Sequence, residues 1–385
     1  MRPSTTHFQQ QNQQAMRSFT TDKAQIFQLL NDINPEAYGR TRNYVDGAVT
    51  YLSPYISRGV LSTKMVFDYL KNAGFDWQDV EKLVQELAWR DFFQLVWMRL
   101  GNDINQDIKQ AQEQVKSRDL PSALLTAETG IEAIDLAIKQ LESSGYMHNH
   151  LRMYTASVAC NIGRYHWREP ARWMYYHLLD ADWASNACSW QWVAGAFSQK
   201  KYFANQENIN KYAGTKQINS YLDVSYEEIA DVDIPGQFIK GEQKVWKTNL
   251  PQTDVDFQLN PECSTLIYNW YNLDLNWHKE ESFNRVLLLE PSVFDKYPIS
   301  DKSVAFMLDL SKNIAGIQVF VGEFEELKKI AGESTFIFKQ HPLNKYQGEE
   351  EPRDFLTAIP QKNFNSFFGF WKAIEKQLKA DFETR

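Results

Sequence analysis

Cysteine is scarce in this 385-residue chain, with Cys160, Cys188 and Cys263 as the only three. An odd number without metal-ligand spacing excludes a disulfide framework and points to reduced, buried thiols. No apolar stretch reaches the ~18 residues that a membrane helix needs, so a cytoplasmic protein is expected. Met1 to Arg17 is rich in Gln and lacks the apolar core of a signal peptide, and residues 1–20 read as a disordered lead-in. Positive charge is also in deficit. A net charge of −8 argues against general DNA binding through phosphate neutralisation. The deficit is uneven, however: residues 145–216 hold eight Lys/Arg against four acids, which permits a local basic face on an acidic body.

Aromatic residues are plentiful, with 12 Trp and 18 Tyr, and eight of the tryptophans fall between Trp77 and Trp192. Such a cluster suits either a filled helical core or a stacking site for something flat. Apolar residues from about 22 to 222 recur at helical spacing, as in Ile26, Leu29, Leu30 and Ile33, or Val80, Leu83, Val84 and Leu87. Pro235, Gly236, Gly241, Pro251 and Pro261 punctuate residues 223–280, which read as an ordered connector because Trp246, Ile267, Tyr268, Trp270 and Trp277 need burial. Arg285–Glu290, Gly316–Val321 and Ser334–Lys339 read as strands; Ser303–Ile314, Glu323–Ala331 and Phe367–Leu378 read as helices. The expected fold is mainly α, an all-helical domain (21–222) followed by a small C-terminal α/β domain (281–385). That α/β part has neither a G-x-G-x-x-G nor a Walker loop, so no nucleotide site is signalled in it.

Three helical stripes hold the residues with chemistry. Glu86, Trp89 and Arg90 lie at i, i+3 and i+4, placing a carboxylate, a ring and a guanidinium on one face; the plainer reading is an i,i+4 Glu–Arg pair with Trp in the core. Asn149 and Met153 are one turn apart, with Arg152 beside them. His148 and His150, at i and i+2, do not share a face, which sets aside a zinc site with His166. Asp182, Asn186 and Trp190 form the third stripe. Asp180, if buried, needs a partner, and Arg152 is the natural one.

Glu-Leu-Ala-Trp-Arg-Asp-Phe-Phe (86–93), Tyr-Met-His-Asn-His-Leu-Arg-Met (146–153), Trp-Arg-Glu (167–169) and Asp180–Trp192 together resemble the DNA photolyase/cryptochrome family, in family order and spacing. Arg42 and Thr50-Tyr51-Leu52-Ser53 resemble its flavin-phosphate segment, and the likeness runs over roughly 38–205. The resemblance implies a folded FAD, with Tyr38, Thr50 and Ser53 at its phosphates. Arg152 and Asp180 would pair beside the ring, Asp182 would lie near the adenine and ring edge, and Asn186 would face N5. It also implies a pocket for a flipped-out cyclobutane pyrimidine dimer in UV-damaged DNA, walled by Trp89 and Trp192, with Glu86, Arg42, Asn149 and Met153 around it. Asn149 and Met153 match the cyclobutane-dimer enzymes rather than the (6-4) ones. Trp190 and Trp167 match the inner and middle members of an electron-transfer chain.

Some family features are absent. No Trp stands at the expected outer electron-transfer position, before Ala127-Glu128-Thr129-Gly130, and an expected Arg is Ala204; Lys200 and Lys201 are candidates for the lost phosphate contact. The chain begins with the helical domain rather than an antenna domain, and no residue of the C-terminal part argues for an antenna chromophore. Light-driven DNA repair by a monomeric lyase is the expectation. A cryptochrome-like blue-light receptor without repair activity is the alternative.

Overall fold

The computed structural model describes residues 18–358 and 362–384, and most of the lead-in (1–17) lies outside them. Residues 18–20, expected to be disordered, are not. Phe19 packs its ring on Tyr55 and Tyr146, and the Tyr55 hydroxyl donates to Thr20 O at 2.9 Å. One apolar side chain with a place to go is enough to fix this end.

The helical part runs through α1 (Lys23–Asn31), α2 (Pro35–Thr41), α3 (Ser53–Ser57), α4 (Thr63–Asn72), α5 (Trp77–Leu100), α6 (Ser122–Thr126), α7 (Glu132–Ser144), α8 (Asn149–Ser157), α9 (Arg168–His177), α10 (Trp183–Ala194) and α11 (Gln206–Ala213). Local chemistry sets many ends. Asn34 caps α2 through Ala37 N, with Pro35 pre-set for the first turn. Asp182 caps α10, and Gly195 ends it at a φ of 81°, in the left-handed region that glycine adopts without strain. The longest helix, α5, buries Val80, Leu83, Val84, Leu87 and Ala88 on one side and presents Glu86, Trp89 and Arg90 between them. A two-residue antiparallel pair, β1 (Leu120–Pro121) with β2 (Gly241–Glu242), interrupts the helical pattern.

The sheet is larger than the sequence pattern predicts. It has five parallel strands, β3 (Thr265–Tyr268), β4 (Asn284–Leu289), β5 (Ile317–Val321), β6 (Phe336–Lys339) and β7 (Glu349–Glu351), in the order β5-β4-β3-β6-β7. Helices α12 (Pro291–Lys296), α13 (Asp301–Ser311), α14 (Phe324–Ala331) and α15 (Phe367–Glu383) complete the chain. Strand β3, at the centre of the sheet, lies inside the stretch 223–280 read as connector. Its short apolar run lies in the Pro/Gly-punctuated stretch that reads as connector, and β7 is a run of three glutamates with no apolar pattern.

Side chains alternate across the sheet. Leu287 and Leu289 of β4 face inward and join the core of the helical part, while Val286 and Leu288 pack toward Phe324 and Leu327 of α14. One core therefore runs from the helices into the sheet. The strand ends of the α/β part are thereby held against α5.

Candidate functional site

Asp180 and Asp182 are buried, 7% and 2% exposed, and each draws an arginine from a different helix. Arg152 on α8 donates Nη2 to both carboxylate oxygens of Asp180, at 3.1 and 3.0 Å, and Nε to Met147 O at 2.8 Å. Arg90 on α5 donates to Asp182 at 3.2 Å and to Ser57 Oγ at 2.7 Å; Ser57 in turn donates to the Asp180 carbonyl at 2.9 Å. Gln94, one turn beyond Arg90, also donates to Asp182. Asp182 still has an oxygen for Ser185 N at 2.8 Å, the cap of α10. Beneath them the fully buried Arg58 donates to Ala181 O and lies over the Trp270 ring, its Cζ 3.1 Å from the centroid. Loss of solvent pulls that guanidinium down to about 10.

Glu86 and Arg90 do not pair with each other. Glu86 pairs with Arg42, at 3.5 Å, which leaves Arg90 to the deeper carboxylate of Asp182. Burial raises the Glu86 carboxyl above its usual range, with Arg42 opposing. Arg42 stands 6.0 Å from the ring of Tyr38, whose phenol is raised first by burial and then by the charge of Glu86. Thr50 Oγ1 accepts from Leu52 N at 3.4 Å, and Ser53 opens α3. Between them Tyr51 has a φ of 55°, a left-handed conformation that costs a non-glycine residue about 1–2 kcal/mol and that tertiary contacts must offset. Its ring packs on Tyr146 at 5.4 Å.

Among the lesion-binding candidates, Asn149 opens α8 and is exposed, while Met153 is half-buried one turn on. His150 Nδ1 bonds Asn43 O at 2.7 Å and ties that end of α8 to the Arg42–Asn43 turn. Trp192, at the end of α10, is 38% exposed and sits 5.8 Å from Tyr202. Trp89 differs: Phe367 of α15 stacks on its ring, with centroids 3.6 Å apart and planes 10° from parallel, and Phe368 meets it edge-on. Ala204 is buried, so an arginine there would point into the core. Lys201 donates to Glu113 O and to Gln114, while Lys200 is exposed.

Trp167 donates its indole N–H to Asp107 at 2.7 Å and lies 6.5 Å from Trp183. Trp183 continues to Tyr175 at 5.5 Å and to Tyr297 at 5.7 Å. Trp190 is buried on the same helix as Trp183. Asn186 Nδ2 donates to Ala171 O at 2.7 Å, which fixes the orientation of its amide.

Two polar atoms on α10 have no partner among the described residues, Ser185 Oγ and Trp190 Nε1. Burial with its cationic neighbours lowers His148 to about 4 and keeps it neutral. Orphaned hydrogen-bonding atoms beside a buried arginine–aspartate pair fit a flat, polar, negatively charged group such as a flavin. Sequence reasoning placed Arg152 with Asp180. It missed Ser57, Arg58, Gln94 and Arg353, which donates to Gln94 Oε1; no local pattern signals a partner 259 residues away.

Residues 83–245 match the family described as FAD binding domain of DNA photolyase. The deoxyribodipyrimidine photo-lyase of Alkalihalophilus pseudofirmus is 34% identical over 146 residues, 37% of this chain and 30% of that protein. The chloroplastic/mitochondrial cryptochrome DASH of Ostreococcus tauri is 28% identical over 234 residues, 58% of this chain and 38% of that one. A solved Synechocystis cryptochrome, 25% identical, covers 51% of this chain and 44% of its own with a TM-score of 0.44. Matches to these two curated relatives span about a third of their length.

Proposed function

We propose, for a chain whose residues 83–245 carry the FAD-binding domain of the DNA photolyase/cryptochrome family, that it holds FAD and repairs cyclobutane pyrimidine dimers in UV-damaged DNA under light. The observation that carries this reading is the buried Arg152–Asp180 pair next to Arg90–Asp182, among unpartnered polar atoms. Tyr38, Thr50 and Ser53 would hold the phosphates. Arg152, Asp180, Asp182 and Asn186 would hold the ring side. When bound and reduced, the flavin supplies the photoexcited electron that opens the cyclobutane ring and is recovered afterwards.

The protein's share is binding and electrostatics. Arg152 offsets negative charge brought beside it. Glu86, its carboxyl raised by burial, keeps a proton more readily than a surface glutamate and so offers the dimer a hydrogen bond that strengthens as negative charge develops. Trp192 presents an open ring face for an unstacked base, and Asn149 an open amide. Trp190 and Trp167 are the proposed inner steps of a route that brings electrons in from the surface. One observation favours the second reading, a blue-light receptor without repair: Phe367 covers the Trp89 face that a dimer would stack on.

Reduced protein incubated with a dimer-containing oligonucleotide, with and without blue light, separates the two. Repair predicts loss of dimers in the light only, slowed roughly tenfold in Glu86→Ala, the loss of one hydrogen bond to a charged group. Bound flavin with no loss of dimers supports the receptor.

A further inference from the structure

Strand order brings the ends of β3 and β6 together. The chain runs from β3 outward through β4 and β5, then returns to the other side of β3 as β6 and continues to β7. The switch point of the sheet lies between β3 and β6, and in parallel sheets ligands settle outside the strand ends at such a point. Here that crevice is a cavity of about 60 Å³, closed on its far side by α5 and lined by Asn269 and Asn272 after β3, and by Gln340 and His341 after β6. It has room for roughly four to six water-sized atoms, at the ~10–15 Å³ each requires.

The unused polar groups in this cavity are donors. His341, 7% exposed, stacks on Tyr271 at 4.2 Å and meets Trp97 edge-on at 5.0 Å, so its ring is fixed. Nδ1 accepts from Leu343 N, which puts the proton of the neutral ring on Nε2, and Nε2 has no partner among the described residues. Burial, with Arg353 and Arg58 nearby, keeps this ring neutral. Asn272, also 7% exposed, accepts from Asp274 N through Oδ1 and leaves Nδ2 without an acceptor. Arg353 donates to Gln94 and feels the charges of Asp182 and Asp91 without a direct ion pair among the described residues. The acids of the lining are engaged: Asp91 by Thr63 and Leu356 N, Asp354 by Lys339. A buried donor left without an acceptor is costly, and the two residues that carry these donors line one cavity.

We propose that this cavity is a binding site for a small oxyanion, a phosphate or carboxylate group, received by His341 Nε2, Asn272 Nδ2 and the Arg353 guanidinium. The site excludes the Arg152–Asp180 pair but borders the Asp182 cluster through Arg90 and Gln94, and it does not depend on the repair reading.

The test is a titration of the full chain with sodium phosphate, and separately with sodium acetate, against sodium chloride at matched ionic strength, read by thermal unfolding. A saturable rise in Tm with either anion is expected, and the anion that gives it identifies the group recognised. Asn272→Asp keeps the shape but turns the donor into a carboxylate; it should weaken the apparent affinity at least tenfold, as should Arg353→Gln. A crystal soaked in the effective anion should place it within hydrogen-bond reach of His341 Nε2, a readout that stands even if a variant folds poorly. No saturable response, a response unchanged in both variants, or a cavity holding water only would overturn the proposal.

Discussion

Arg152 is worth more to this molecule than a surface cation because its partner is buried. Arg152→Ala leaves Asp180 charged, desolvated and uncompensated. The expected loss is about 3 kcal/mol, the low end for breaking a buried pair, because a fifth of the Arg152 side chain stays in solvent. Urea denaturation measures it, and a loss below ~1 kcal/mol would show the pair to be ornamental. The pair was legible in the sequence, since a buried acid demands a cation and Arg152 was at hand. Arg90 was not, because its i,i+4 neighbour Glu86 offered an equally good partner on paper; only the arrival of Arg42 from another helix decides between them. Asp91 adds a dependence on pH. Burial pushes its carboxyl up to about 7 despite hydrogen bonds from Thr63 and Leu356 N. The unfolded carboxyl titrates near 4, so the folded state holds its proton more tightly. The stability this supplies is complete below pH ~4 and is lost as pH rises through about 7. Asp91→Asn should flatten the fall in urea midpoint between pH 5 and 8; parallel curves for variant and parent would refute it.

Helix α15 is the element with the most unexpected reach. Its sequence reads as a closing amphipathic helix over Phe367–Leu378, and it does close the chain, extending to Glu383. That Phe367 would land flat on Trp89 could not be read, because the contact joins segments 278 residues apart and neither ring has an assigned face. Phe367→Ala should cost about 3 kcal/mol, as buried aromatic truncations do, and should shift tryptophan emission to the red as Trp89 meets water. Unchanged emission would mean that the stack does not persist in solution. The sheet shows the same limit at another place. Strands β4, β5 and β6 announce themselves by apolar runs within an alternating strand–helix pattern, whereas β3 sits alone among prolines and glycines and β7 is acidic.

Across the whole molecule, an acidic chain has little long-range attraction for DNA, so the proposed binding of damaged DNA calls for a local basic face. Lys200 is exposed while Lys201 is tied to Gln114. The double variant Lys200→Ala/Lys201→Ala should lower the slope of log affinity against log salt by about one, the share of one phosphate contact; an unchanged slope removes both lysines from the interface. The helical part and the sheet share a core, and the oxyanion cavity adjoins the arginine–aspartate cluster on α5, where Arg90 and Gln94 line the cavity and bond Asp182. Both rest on α5 and on the order in which distant segments meet it. The claim on which the account turns is that Arg152 and Asp180 seat a flavin. Absorbance of the purified protein near 450 nm, with Arg152→Ala alongside and folding checked by circular dichroism, measures it directly. Near-equimolar flavin in the parent and its loss in a folded variant is the predicted result. A colourless parent, or a folded variant that keeps its flavin in full, would contradict it.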